Sequence, residues 1–207
     1  MAQHQDHTNP TEGALLSRLQ TGDENAVQDI YLLYYNRLLQ YGCSIENDRN
    51  LVHDTIQELF VWLLQNPGQA QKIQNLDTYL FKSIRRNVSA SAGRERRSKL
   101  KAQAYQTEDG EVDTSTETKL IEEEEFLFKR EWLKKQIGRL PQHQQEVIFL
   151  RFFENFDYDD IAEIYSVSNQ VVRNTIFRAM KNLRKGARRF EGFWPAGLAY
   201  LMMQFFF

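Results

Sequence analysis

An all-α fold of two small helical domains joined by a flexible linker, the second domain containing a helix-turn-helix, is predicted by three observations. Apolar residues recur at three- and four-residue spacing on both sides of residues 101–119. That stretch itself is rich in acidic residues and threonine and poor in apolar ones, as a linker is. Residues 156–185 then read as two helices about a tight turn. With 42% hydrophobic residues in 207, the chain can furnish the modest cores of one or two compact domains.

Taken in order, residues 1–11 lack the basic-then-apolar pattern of a secretory signal and read as a disordered lead-in, with His4 and His7 exposed. The first domain spans residues 12–100. A helix can begin at ALLSRL. After the break at Thr21, Gly22 and Asp23, a longer helix runs from Asn25 to about Tyr41. Its stripe of Val27, Ile30, Tyr31, Tyr34, Leu38 and Tyr41 is a core stripe, not a cofactor box. Cys43 is the single cysteine, so no internal disulfide can form; it sits among apolar residues as a small core filler, which fits a reducing cytoplasm.

Residues 48–65 form the next amphipathic helix, with Leu51, Val52, Ile56, Leu59, Leu63 and Trp62 facing inward. Asp54, Gln57 and Glu58 project elsewhere and on composition are a solvated face. The Pro67-Gly68 pair marks residues 66–77 as a loop. The helix that follows, from about 76 to 97, interleaves Tyr79, Leu80, Phe81, Ile84 and Val88 with Lys82, Arg85, Arg86, Arg94, Arg96 and Arg97. Rings and cations together suit single-stranded nucleic acid, and a basic helix with a buried aromatic edge has the same pattern. Weak helix propensity over residues 89–93 points to a helix end near Gly93.

The glutamates at 122–125 cannot share one helical face and have no histidine or aspartate nearby, so no metal site or cofactor is expected there. The second domain spans residues 120–187. Phe126, Phe128, Trp132, Leu133, Ile137 and Leu140 make its first helix, and Pro141 opens the next at its first turn. Asp157, Asp159 and Asp160 then stand where a helix N-terminus favours negative charge. Ser166 and Val167 interrupt the pattern, and Ser168 can cap a second helix whose Val172, Ile176, Ala179 and Leu183 form one apolar stripe. The opposite face carries Gln170, Arg173, Asn174, Phe177 and Lys181, and residues 173–189 are basic with no acidic residue. Arginine and amide side chains can pair with a base edge at two points and later cations can neutralise phosphates, so this face suits a DNA groove; a solvated basic helix has the same composition. The net charge of −2 argues against indiscriminate DNA coating.

Leu140, Pro141, Glu146, Val147, Leu150, Arg151, Phe153, Glu154, Tyr158, Ile161, Ala162, Ile164, Ser168, Val172, Arg173, Arg178 and Ala179 carry a resemblance. The segment 140–183 resembles the promoter-binding domain of bacterial RNA polymerase sigma factors of the extracytoplasmic-function (ECF) class, and a looser likeness extends over residues 12–187. It implies that Ser168, Asn169, Gln170, Arg173, Asn174, Phe177, Arg178 and Lys181 read the upstream promoter element. It likewise implies that Asp54, Gln57, Glu58 and Phe60 dock on the clamp helices of the polymerase largest subunit. Loop 66–77 with Tyr79, Phe81, Lys82, Arg85 and Arg86 would capture melted promoter DNA; Tyr79 replaces the family's usual tryptophan, and spacing makes one of the two rings core, with Tyr79 the expected stacker.

Asn155 and Ser166 replace family glycines, and asparagine tolerates the left-handed turn conformation. The implied partners are core RNA polymerase and promoter DNA, with an anti-sigma protein as a further partner class. No small-molecule substrate, cofactor, metal or catalytic residue is implied, phosphodiester synthesis belonging to the polymerase. The alternative, a stand-alone helix-turn-helix regulator, would need a dimer surface or effector pocket. A DNA-processing hydrolase would need converging carboxylates or a His/Asp pair, and the sequence has no Gly-rich phosphate loop, no His-x-x-x-His pair and no serine nucleophile elbow.

The tail, residues 188–207, falls outside the resemblance. Its uncharged run at 193–207 is 15 residues with Pro195 and Gly197 near its start, short of the roughly 20 apolar residues of a spanning helix. It is expected to pack on the chain's own domains or to dock on an inhibitory partner; membrane association follows only if it acts as an anchor.

Overall fold

The computed structural model describes residues 10–102 and 133–187. The expectations placed on the lead-in before residue 10, on linker residues 103–119, on the glutamates 122–125, on Phe126, Phe128 and Trp132, and on the tail 188–207 lie outside those residues. The described residues form helices α1 (Pro10–Gln20), α2 (Glu24–Ile45), α3 (Arg49–Gln65), α4 (Pro67–Ala70), α5 (Leu76–Ala102), α6 (133–138), α7 (Gln142–Phe152), α8 (Tyr158–Tyr165) and α9 (Asn169–Ala187), and no strand occurs among them. They group into two compact units: residues up to Ala92 together with Asp159–Ser168, and Gly93–Tyr158 together with the chain from Asn169 onward.

In the first unit, α1 stops at Gly22, whose φ of 81° lets the Asp23 amide return to the Arg18 carbonyl at 3.1 Å and the Gly22 amide to Leu19 at 3.1 Å. Asp23 then caps α2 by accepting from the Asn25 amide at 2.9 Å. Arg18 pairs with Asp23 and Asp29, both at 2.7 Å. That hydrogen bond from Arg18 holds the Asp23 carboxyl below the usual carboxylate range. Helices α2 and α3 run antiparallel: Tyr31 meets Phe60 at one end, and at the other Gly42 lies against Val52, where an added Cβ would run into the valine side chain. A glycine is what lets the two backbones approach so closely.

Ile30, Tyr34, Leu38 and Tyr41 of α2, Ile56 and Leu63 of α3, and Leu80, Phe81 and Ile84 of α5 are buried. The start of α5 is held by the adjacent Asn75 and by Glu12 and Arg37, which are distant in sequence. Glu12 accepts from the Asp77 amide at 3.2 Å, Asn75 from the Thr78 amide at 2.8 Å, and Arg37 forks onto the Asp77 carboxylate at 3.2 and 3.4 Å. The Arg37 guanidinium also lies 4.9 Å from the Tyr34 ring centre. Burial pushes the Tyr34 phenol up, and Asp77 adds to the shift.

Three expectations are corrected in this unit. The segment 66–77 contains the turn α4 and is tied down by buried Ala70 and Ile73 and by a bond from Gln20 Nε2 to the Ile73 carbonyl at 2.9 Å. Trp62 does not face inward but is 41% exposed, because the buried arc of α3 is already filled by Val52, Thr55, Ile56, Leu59, Phe60 and Leu63. Helix α5 passes Gly93 and continues to Ala102. An isolated glycine costs about 1 kcal/mol against alanine, and alanines before it with arginines after it favour continuation. Cys43 is half-buried, and desolvation raises its thiol pKa, as suits a structural thiol.

The second unit gathers Leu133, Leu140, Ile148, Ala179 and Leu183 into one core, with Ile137, Phe152, Phe153 and Met180 packed against it. Pro141 stands at the N-cap of α7, one residue ahead of its first turn. Gln145 Nε2 bonds the Leu140 carbonyl at 2.8 Å and fixes the α6–α7 corner. Asn155, at φ 58°, adopts the left-handed conformation expected of it. Its turn is stapled by the Phe156 amide to Leu150 at 3.0 Å and by Arg151 Nη1 to the Phe156 carbonyl at 2.8 Å.

Candidate nucleic-acid interface

The turn between α8 and α9 closes at Ser166, whose φ of 55° again takes the left-handed conformation in place of glycine. The Ser166 amide bonds Glu163 at 3.0 Å and the Val167 amide bonds Ala162 at 2.9 Å, the paired reverse bonds that end a helix in this conformation. Helix α9 starts at Asn169, directly after Ser168. Val172, Ile176, Ala179 and Leu183 are buried, so the opposite face is turned outward. Ser168, Gln170, Arg173, Asn174, Phe177, Arg178 and Lys181 are exposed on it, and Asn169 is half-buried.

Several of these side chains are ordered before any ligand arrives. Arg173 Nε donates to Asn169 Oδ1 at 2.6 Å and Gln170 Nε2 to Asn174 Oδ1 at 3.1 Å, each across one helical turn. Phe177 is 68% exposed amid polar and basic neighbours, a costly place for a ring unless something covers it.

On α5 the two candidate melting rings part company. Phe81 is fully buried, 5.1 Å from the Tyr41 ring centre and 5.4 Å below the Arg37 guanidinium, so it is core and cannot stack on a base. Tyr79 is half-buried; burial raises its phenol pKa, partly offset by a hydrogen bond with Ser83 and by the charge of Arg86. Arg86 is exposed and reaches Asn87 at 3.4 Å. Within the first unit, Lys82 lies 3.5 Å from Glu163, Arg85 stacks 3.9 Å over the Tyr165 ring, and Thr78 donates to Asp160 at 3.4 Å.

On α3, Asp54, Gln57 and Glu58 are exposed together, with His53 bridging them at 3.4 Å to Asp54 and 3.5 Å to Gln57. Phe60 departs from its expected place among them: it is 4% exposed and meets Tyr31 edge-on at 5.1 Å, so its ring secures α3 from beneath. Val61, Trp62 and Leu64 are exposed on the same helix, and the sequence reading missed them as surface groups. The signal was there in helical spacing: Val61 follows Gln57 by four residues and Asp54 by seven, and Leu64 follows Gln57 by seven. Acidic and apolar groups thus share one face. Among the described residues, no group of three or more His, Cys, Asp or Glu side chains could hold a metal ion, and no helix is long and apolar enough to cross a membrane.

An all-helical chain with a helix-turn-helix that presents arginine, amide and aromatic groups on one basic face has the build of a DNA-reading transcription protein. Residues 130–183 match the sigma-70 region 4 family. The chain is 26% identical over 165 residues to the RNA polymerase sigma factor YlaC of Bacillus subtilis, covering 78% of this chain and 91% of that one. To the ECF RNA polymerase sigma-E factor of Haemophilus influenzae it is 27% identical over 179 residues, covering 82% and 91%. Two solved structures share the fold. The sigma factor RpoE in complex with the anti-sigma factor NepR, from Bartonella quintana, aligns with a TM-score of 0.60 at 18% identity over 79% of this chain and 97% of that one. CnrH in complex with the cytosolic domain of CnrY aligns with a TM-score of 0.56 at 17% identity over 87% and 99%. Residues 130–183 thus carry a sigma-70 region 4 domain, and over most of its length the chain is similar to RNA polymerase sigma factors, among them factors of the ECF class.

Proposed function

We propose that this sigma factor binds core RNA polymerase through α3, opens the downstream promoter element with segment 66–77 and α5, and reads the upstream element with α9. The observation that carries this reading is the outward face of α9, where Arg173, Asn174, Phe177, Arg178 and Lys181 stand together above a fully apolar inner stripe. Functionally the chain divides into a docking and melting domain at 12–100, a linker at 101–119 and a promoter-binding domain at 120–187. It acts in the cytoplasm, without a small-molecule substrate or cofactor, and supplies no catalytic residue. An anti-sigma protein belongs to the proposed partner set, since RpoE and CnrH were solved with NepR and with the cytosolic domain of CnrY. Co-purification tests the reading: tagged chain should retain core polymerase from a cell extract and release promoter-specific initiation, whereas a stand-alone regulator would bind DNA without the polymerase.

The docking face comprises Asp54, Gln57 and Glu58, extended by exposed Val61 and Leu64. Gln57→Ala combined with Glu58→Ala should weaken core binding in titrations while thermal stability hardly moves, because exposed substitutions usually stay within about 0.5 kcal/mol. Wild-type affinity would return these residues to plain solvated surface.

Tyr79 is the proposed stacking ring for an unpaired base, a contact worth about 1–3 kcal/mol. Tyr79→Ala should impair transcription from duplex promoter DNA more than from a template with a pre-melted bubble. Equal defects on the two templates would remove Tyr79 from the opening step.

A further inference from the structure

We propose that Tyr158 is a positioning residue for promoter recognition, acting through Arg173. Its ring, at the first position of α8, lies under two guanidinium groups: that of Arg173 on α9, 4.6 Å from the ring centre, and that of Arg151 on α7, 5.0 Å away. Arg151 is itself fixed, because its Nη1 donates to the Phe156 carbonyl at 2.8 Å. A line of contacts therefore runs from the α7–α8 turn through Arg151 and Tyr158 to the base-reading side chain.

The ring's π-system attracts each of the two cations. For Arg173 it supplies one restraint, and the Nε bond to Asn169 Oδ1 at 2.6 Å supplies a second. With Nε engaged by Asn169, the Nη1–Nη2 edge is the one left to pair with the O6 and N7 of a guanine. A long side chain held in this way loses less rotamer freedom on binding than a loose one. Specificity at one base pair would thus depend on a residue that never touches the base. The inference rests on the assignment of Arg173 to base reading.

The test uses full-length chain assembled with core polymerase. Competition binding compares a promoter duplex with a set in which each upstream base pair is changed singly. Arg173→Ala should abolish preference at one position. Tyr158→Leu should relax preference at that same position about two- to fivefold. Tyr158→Phe, which keeps the ring, should match wild type. In an Arg173→Ala background, Tyr158→Leu should add nothing at that position. Thermal unfolding of each variant is followed in parallel, and Tyr158→Met serves as the ring-deletion variant if Tyr158→Leu does not fold. The proposal is overturned if Tyr158→Leu leaves the preference intact, if its effect persists without Arg173, or if Tyr158→Phe is equally damaging. Arg173→Ala with no positional effect would overturn the base-reading assignment as well, so the two failures are distinguishable.

Discussion

Phe81→Ala is expected to destabilise the first unit by about 3–5 kcal/mol, the cost of emptying a fully buried phenylalanine site. The ring packs on Tyr41 and under Arg37, and Arg37 also holds Asp77 at the start of α5. Loss of the ring therefore loosens both the core and the ion pair that anchors the helix. Denaturant unfolding should show the midpoint falling, and any transcription defect should follow the folded fraction equally on duplex and bubble templates. A stable Phe81→Ala protein with a selective opening defect would restore Phe81 as a DNA contact. The contrast with Tyr79, two residues away on the same helix and only half-buried, separates a ring sealed in the core from one that is partly exposed.

Arg173→Ala is expected to cost about 1–3 kcal/mol of discrimination between the promoter and a duplex changed at one upstream base pair. Removal of a phosphate contact would instead weaken all sequences alike and lower the salt dependence. Competition binding at two salt concentrations separates these outcomes. Unchanged selectivity in a folded variant would exclude Arg173 from base reading.

Much of this was legible because helical spacing alone sorts α9: Val172, Ile176, Ala179 and Leu183 fall inward, and the polar and basic side chains are left outside. The turns at Asn155 and Ser166 were readable too. A short side chain in place of a glycine can adopt positive φ, and both residues do. Other features depend on neighbours that spacing cannot reveal. Trp62 lies at the margin of the apolar arc of α3, and only the packing of its other residues decides that it stays outside. Phe60 stands within the stretch that the family resemblance assigns to docking, but a motif marks a position without telling which way its ring points; contact with Tyr31 turns it inward. Glu12 and Arg37 meet Asp77 across 65 and 40 residues, beyond the reach of any local pattern. Gly93 misled because propensity is a weak prior, and good helix formers on either side outweigh one glycine.

The most direct test of the central claim is reconstituted transcription with purified components. Core RNA polymerase is mixed with the full-length chain and fragmented genomic DNA, and the 5′ ends of the transcripts are mapped. The chain should bind core polymerase and produce a defined set of start sites that share upstream and downstream elements, with those starts missing when core polymerase is used alone. Failure of the folded chain to bind core polymerase, together with the same scattered starts in its presence and its absence, would contradict its function as a sigma factor.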